Sequence, residues 1–242
     1  MKKLWFTLGI FLLLAVQTAF CQVKVDTAEI TSSVPELTSF HSIIYPMWHD
    51  AYPEKDIQAL KGFVPEIKTK IDAINKAVLP GILHDKKSDW DNQLKELNKS
   101  AENYYTASGG NNDEALLNAA EDLHRNYEMM VRVIRPALKE IDAYHQSLYV
   151  IFHKLYPSGK YDEILAMADG LITQADAIVK YPKDDRLKRR LGNDLARFDT
   201  AAKNLFDSTV RLKESLKTSN VSEKDKAVQE VHSAYQALDS LF

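Results

Sequence analysis

The sequence predicts an all-α protein made of two tandem up-down four-helix bundles, and three observations lead to this prediction. Apolar residues recur at intervals of three and four along almost the whole chain, which is the spacing of helices that bury one face. No stretch alternates apolar and polar residues for long, so strands are not expected. A pattern of histidine and tyrosine in the first half returns in the second half, which indicates an internal duplication.

The repeated pattern has the same spacing in both halves. It reads His41-x3-Tyr45-x3-His49-x2-Tyr52-Pro53 in the first half and His145-x3-Tyr149-x3-His153-x2-Tyr156-Pro157 in the second. The offset is constant, because 145 − 41 and 153 − 49 both equal 104. A third histidine follows in each half, three residues before a tyrosine: His124 before Tyr127, and His232 before Tyr235. The alternative architecture is one continuous eight-helix array with a shared core.

The N-terminus has the features of an export signal. Lys2 and Lys3 precede a short apolar run that ends near small residues, so residues 1–21 are predicted to be a signal peptide. The run is too short for a membrane span. Cleavage after Cys21 is favoured over a lipoprotein in which Cys21 carries the lipid, because Phe20 is not the small residue that lipidation requires. The protein is therefore expected to be exported and periplasmic, with a membrane-anchored lipoprotein as the alternative.

Composition limits the partners and the kind of stabilisation. Residues 22–34 are polar and irregular and are predicted to form a disordered tether, followed by helical repeats at 35–135 and 136–242. Without the signal the charge is −5, from 29 basic residues (31 − 2) and 34 acidic ones, which excludes the basic surface of a nucleic-acid binder. Cys21 is the single cysteine, so no internal disulfide can form.

The four helices of the first repeat are each defined by an apolar stripe and a stop signal. Pro65 is expected to kink the second of them. The predicted helices are 36–52, ended by Pro53; 55–79, ended by Pro80-Gly81; 88–107, ended by the turn at 109–112; and 113–135.

The second repeat follows the same plan. Pro136 fits the first turn of the fifth helix or a kink between the two repeats. Ser222 is predicted to be the N-cap of the eighth helix. The apolar stripes of the four helices run from Ile141 to Leu155, from Ile164 to Ile178, along 185–217, and from Ala227 to Leu238.

The histidines are predicted to bind a transition metal ion. Imidazole nitrogen suits Zn²⁺, Cu²⁺ and Ni²⁺. His41 and His49 lie about 12 Å apart along a helix and cannot share one ion unless the helix breaks, and Val150 in place of Pro46 argues against a break that both halves share. In an up-down bundle, however, the histidine of the fourth helix lies between the two histidines of the first helix when positions are compared along the bundle axis. The predicted ligands are His41, His49 and His124 in one half and His145, His153 and His232 in the other, with Tyr45, Tyr127, Tyr149 and Tyr235 as supporting residues.

Two other interpretations remain open at this stage. In one, the protein is a structural or partner-binding bundle for an unidentified periplasmic protein, and the histidines pack or form hydrogen bonds. In the other, the bundle binds haem without a covalent bond. The sequence contains no nucleophile motif, no His-Glu-x-x-His and no phosphate loop, so an enzyme is not expected. His84, in a loop with Asp85, is expected at the surface.

Overall fold

The computed structural model describes residues 26–242, and this part of the chain is all-helical. The predicted signal peptide and Cys21 lie outside the described residues. In the first half, the segments are α1 (Pro35–Pro46), a π-helical turn at Met47–Ala51, α2 (Ile57–Gly62), α3 (Val64–Asn75), a 3-10 turn at Gly81–Lys86, α4 (Lys87–Ser108) and α5 (Asp113–Ile134). In the second half, they are α6 (Lys139–Val150), a π-helical turn at Ile151–Leu155, α7 (Tyr161–Val179), α8 (Asp185–Leu191), α9 (Leu195–Leu216) and α10 (Val221–Asp239).

The helix predicted at 55–79 is divided into α2 and α3. The break lies at Phe63, directly before the first turn of α3, which contains Pro65. Proline has no N–H to donate and its ring clashes with the preceding turn, so the helix restarts there. Asp169 occupies the corresponding position of the second half (65 + 104), and α7 is continuous across it.

The helix predicted at 185–217 is also divided, into α8 and α9. Gly192 has a φ of 53° and lies between them, in the left-handed region that glycine adopts at little cost. The predicted N-cap of the last helix was wrong: Asn220, not Ser222, caps α10, by accepting a hydrogen bond from the backbone N–H of Glu223. Asn112 caps α5 in the same way.

The buried residues form two apolar clusters, one per half. The first draws almost entirely on α1 to α5, and the second on α6 to α10. In the first half, α1 packs on α3, α3 on α4, α4 on α5, and α5 against the π-helical turn after α1. In the second half, α6 packs on α7, α7 on α9, α9 on α10, and α10 again on α6.

Helix boundaries correspond closely between the halves. α1 and α6 start 104 residues apart (139 − 35), and so do α2 and α7 (161 − 57). α4 and α9 start 108 residues apart (195 − 87), as do α5 and α10 (221 − 113). The four extra residues lie in the connection before α9, which includes α8.

Residues 26–34 differ from the prediction that they form a disordered tether, because they lie against both halves. Ile30 packs on both apolar clusters and Val34 is fully buried. The Ser32 hydroxyl donates to the Asp142 carboxylate at 2.7 Å. Apolar and polar contacts together therefore hold this segment on the helices. Within residues 26–242, no helix combines the length and the apolar character that crossing a membrane requires.

The two candidate caps of α10 give a direct test of this structure. Asn220→Ala removes the acceptor for an N–H of the first turn and is expected to lower the free energy of unfolding by about 1 kcal/mol. Ser222→Ala is the matched control and should change it by less than about 0.5 kcal/mol. Urea unfolding followed by circular dichroism measures both. A larger loss for Ser222→Ala than for Asn220→Ala would contradict the assigned cap.

Candidate functional site

The histidines of the repeated pattern lie in two clusters of aromatic and imidazole rings, one per half. Each cluster forms where the first helix of a half, with its π-helical turn, meets the last helix of that half. The first ring cluster consists of His41, Tyr45, Trp48, His49, Tyr52, His124 and Tyr127. The second ring cluster consists of His145, Tyr149, Phe152, His153, Tyr156, His232 and Tyr235.

In each ring cluster, the closest ring contact joins an aromatic residue of the π-helical turn to the histidine of the last helix of that half. Trp48 stacks on His124 with ring centroids 4.2 Å apart and planes 5° apart. Phe152 stacks on His232 at 3.8 Å and 8°. The sequence analysis missed both aromatic residues, because Trp48 reads as part of the apolar stripe. The signal was available, since 152 − 48 is again 104.

A column of rings along the first helix follows from spacing alone. Residues four apart lie one above the other on a helix, so Tyr45 contacts His41 at 5.7 Å and His49 at 4.5 Å. In the second half, Tyr149 contacts His153 at 4.8 Å. His145 stacks instead on Tyr235, at 4.3 Å.

Both first helices widen into a π-helical turn at the same place. The turns are Met47–Ala51 and Ile151–Leu155, again 104 residues apart, and each contains the stacking aromatic residue and the second histidine. No helix break is shared, but a local widening is: Pro46 precedes the first turn, and Val150 holds that position in the second. Proline is therefore not the common cause. Single π-helical turns are found frequently at functional sites.

The structure brings together fewer histidines per half than the sequence analysis predicted. His153 and His232 are neighbours, with ring centroids 6.3 Å apart and planes at 84°. In the first half, His49 is close enough to His124 for its charge to help lower the pKa of that imidazole, after the larger effect of burial. His41 and His145 lie two helical turns away from these pairs. Among residues 26–242, no group of three or more His, Cys, Asp or Glu side chains is arranged to hold a metal ion.

The tyrosines proposed as supporting residues fall into two classes. Tyr127 and Tyr235 are buried and lie beneath the histidines of α1 and α6. Burial raises the pKa of Tyr127 to about 12 and raises that of Tyr235 further, so both phenols remain protonated at neutral pH. Tyr45 and Tyr149 come from the first helix of each half, and of these Tyr45 is exposed whereas Tyr149 is buried.

Burial also favours the neutral form of several histidines. It lowers the pKa of His124, His153 and His232, and it lowers that of His145 to about 4. The negative charge of Asp85, in the 3-10 turn, opposes burial by raising the pKa of the three histidines in the second ring cluster. His84 beside it is exposed.

The two clusters differ clearly in exposure at the first tyrosine of the pattern. Tyr45 is 52% exposed, whereas its counterpart Tyr149 is 7% exposed. Tyr149 is covered by the backbone at Gly81, where an added Cβ would collide with its ring, and its hydroxyl donates to Glu29 at 3.3 Å. Glu29 also pairs with Lys154 at 2.5 Å.

The charges around the clusters differ too. Asp50 occupies the position that corresponds to Lys154 (154 − 104), and it is exposed. Glu121 accepts a hydrogen bond from the Tyr52 hydroxyl at 3.2 Å. Glu128 raises the pKa of His124, against the larger effect of burial. The first ring cluster therefore has acidic residues at its rim. The second ring cluster instead has Lys154, which pairs with Glu29 of residues 26–33.

The chain was compared with protein-family models, curated proteins and solved structures, and none of them matches it.

The burial of His145 predicts a specific loss of stability in acid. Its pKa of about 4 in the folded chain lies below the value of 6.5 for a free side chain, so the unfolded chain binds the proton more readily. The stability that the neutral imidazole contributes to the fold is fully present above pH 6.5 and is lost as the pH falls towards 4. His145→Phe keeps a ring on Tyr235 without titrating. It is expected to reduce the drop in unfolding free energy between pH 7.5 and 5 by on the order of 2 kcal/mol.

Denaturant titrations at the two pH values measure this difference. The control is His84→Gln, which replaces an exposed histidine outside both ring clusters and should change the pH dependence less than His145→Phe does. An unchanged pH dependence in His145→Phe would show that this imidazole is not held neutral by the fold.

Proposed function

We propose that this chain is an exported, non-catalytic binding protein that arose by internal duplication of a four-helix bundle. The matched boundaries of the helices, the two separate apolar clusters and the shared π-helical turns support the duplication. In each half the last helix packs back against the first helix or the π-helical turn that follows it, as in an up-down bundle. The N-terminal sequence supports export.

The binding surface that we propose is the first ring cluster. The observation that carries the proposal is the contrast between Tyr45, which is 52% exposed, and Tyr149, which is 7% exposed in an otherwise similar set of rings. Large aromatic side chains contribute strongly to binding when a partner covers them. The chain itself covers Tyr149 in the second ring cluster, whereas Tyr45 in the first is open to a partner.

The covered cluster indicates what kind of partner the open one accepts. An irregular segment, residues 26–33, and the 3-10 turn at Gly81–Lys86 lie over Tyr149, with Glu29 paired to Lys154. We infer that the first ring cluster receives an irregular segment of another exported protein. Because Asp50 replaces Lys154, that segment is expected to present a lysine or arginine where residues 26–33 present Glu29.

A photo-crosslinking amino acid placed at Tyr45 tests this function in the cell that exports the protein. We expect one discrete adduct, and Asp50→Lys should weaken it severalfold because the rim changes sign. Val221 is the matched control position, since it is 54% exposed and lies outside both ring clusters. Equal labelling from Tyr45 and Val221, or an adduct that Asp50→Lys leaves unchanged, would count against a partner site at the first ring cluster.

A second candidate function is binding of a transition metal ion by a pair of histidines. Two imidazoles that share an ion have ring centres at most about 6 Å apart, given metal–nitrogen bonds near 2 Å. The 6.3 Å separation of His153 and His232 lies at this limit, and His49 and His124 are the corresponding pair. Zn²⁺, Cu²⁺ or Ni²⁺ would complete its coordination with water or a further ligand, in keeping with storage, sensing or delivery.

Calorimetric titration of the mature protein with each ion tests the second candidate. Micromolar binding that is lost in the His49→Ala plus His153→Ala double variant is expected if the pairs hold the ion. His84→Ala is the control and should bind as the original protein does. The absence of micromolar binding, or binding that the double variant retains, would reject the metal function. A Soret band after addition of haem would instead favour the haem alternative.

A further inference from the structure

A cavity lies where the two halves meet. It is separate from the first ring cluster. Its volume is about 100 Å³. Its walls come from the 3-10 turn, the end of α5, the start of α6, the end of α8 and the C-terminal end of α10. Both halves must be folded and docked for this cavity to exist.

The charged side chains around the cavity are unevenly paired. Four cations line it, Lys86, Arg132, Arg135 and Arg190, together with three carboxylates, Asp85, Asp142 and Asp239. Lys86 is paired with Asp239 at 2.5 Å. Asp142 already accepts hydrogen bonds from Ser32 at 2.7 Å and from Gln146 at 2.9 Å.

The three arginines do not share in this pairing. Throughout the part of the chain that the structure describes, Arg132, Arg135 and Arg190 form no ion pair with a carboxylate. Burial lowers the pKa of Arg190, the guanidinium charges of Arg135 and Arg186 lower it further, and Asp239 acts in the opposite direction. The cavity has four cations against three carboxylates, and an excess of like charge at one cavity is stabilised by a bound anion.

Arg190 is an exposed residue, and its guanidinium has two contacts that favour one position. It donates to the backbone carbonyl of Ala137 at 2.9 Å and lies over the ring of Phe242, with 5.2 Å between Cζ and the ring centroid. A guanidinium has five N–H donors, and this hydrogen bond uses one of them. An arginine fixed by its surroundings binds an oxyanion at a smaller entropic cost than a free one.

Polar groups of the second ring cluster reach the same cavity. His145 and Tyr235, which stack on each other at 4.3 Å, both line it. A phenol O–H can donate a hydrogen bond to an oxyanion, and a neutral imidazole has one N–H donor. The cavity thus combines fixed positive charge with neutral donors.

We propose that the cavity between the halves binds a small oxyanion, a phosphate or a carboxylate, through the guanidiniums of Arg135 and Arg190. Planar guanidiniums bind both groups through two parallel hydrogen bonds, and this is the chemistry that the two ligand classes share. The volume suits a single phosphate or a short carboxylate. Because the site spans the two halves, its ligand also stabilises their docking.

The test is calorimetric titration of the mature protein with inorganic phosphate and, separately, with acetate, at constant ionic strength set by chloride. Submillimolar binding of either ion is expected, and the ion that binds identifies the class. Arg135→Gln and Arg190→Gln should each weaken it at least about tenfold. Arg197→Gln is the matched control, because Arg197 is exposed and already paired with Asp194 at 2.7 Å.

Two results would overturn the proposal. One is the absence of binding by both ions beyond the effect of chloride. The other is binding that Arg135→Gln and Arg190→Gln weaken no more than Arg197→Gln does. Arg135→Gln keeps the result interpretable if Arg190→Gln unfolds the chain, because Arg135 does not hold the carbonyl of Ala137. Partner binding at the first ring cluster is a separate measurement, so either proposal can fail alone.

Discussion

The stacking of an aromatic ring on the histidine of the last helix is the constraint on which the rest of this structure depends. Trp48 on His124 and Phe152 on His232 join the first and last helix of each half within about 4 Å. Flat contact of two rings fixes the position and the rotation of both helices, which ordinary aliphatic packing leaves more variable. In both halves the first helix widens into a π-helical turn where this contact forms. Burial under the stacked rings then favours the neutral imidazole.

From this shared arrangement the two halves differ in what lies over the rings. Residues 26–33 and the 3-10 turn at Gly81–Lys86 come from the N-terminal side of the chain, and they cover Tyr149 of the second ring cluster. The first ring cluster has Asp50 at the position of the lysine that pairs with this segment in the second. One scaffold thus buries Tyr149 at the junction of the halves and leaves Tyr45, its counterpart, exposed. The same docking of the halves creates the cavity with the arginines.

Much of the fold could be predicted from periodicity and stop signals. The sequence analysis located α4 and α5 to within one residue at each end, because their apolar stripes are regular and a glycine–asparagine turn separates them. The failures were local. Ser222 was chosen as a cap over Asn220, and the break at Gly192 was missed, because a left-handed glycine is visible only in its dihedral angle. In the site, the repeat identified the histidines and tyrosines, but not Trp48 or Phe152, which read as core residues.

The sequence by itself determined that the described chain is helical, where most helices begin and end, and which rings recur. These properties follow from local dihedral preferences and from the period of a helix, and both are encoded within a few residues. Only the tertiary structure decided that His153 approaches His232 while His145 stacks on Tyr235, and that Tyr149 is covered while Tyr45 is not. Those outcomes depend on segments more than 60 residues apart in the chain, since 149 − 81 is 68. Their positions are set by packing across the junction of the halves, and no local pattern specifies that junction.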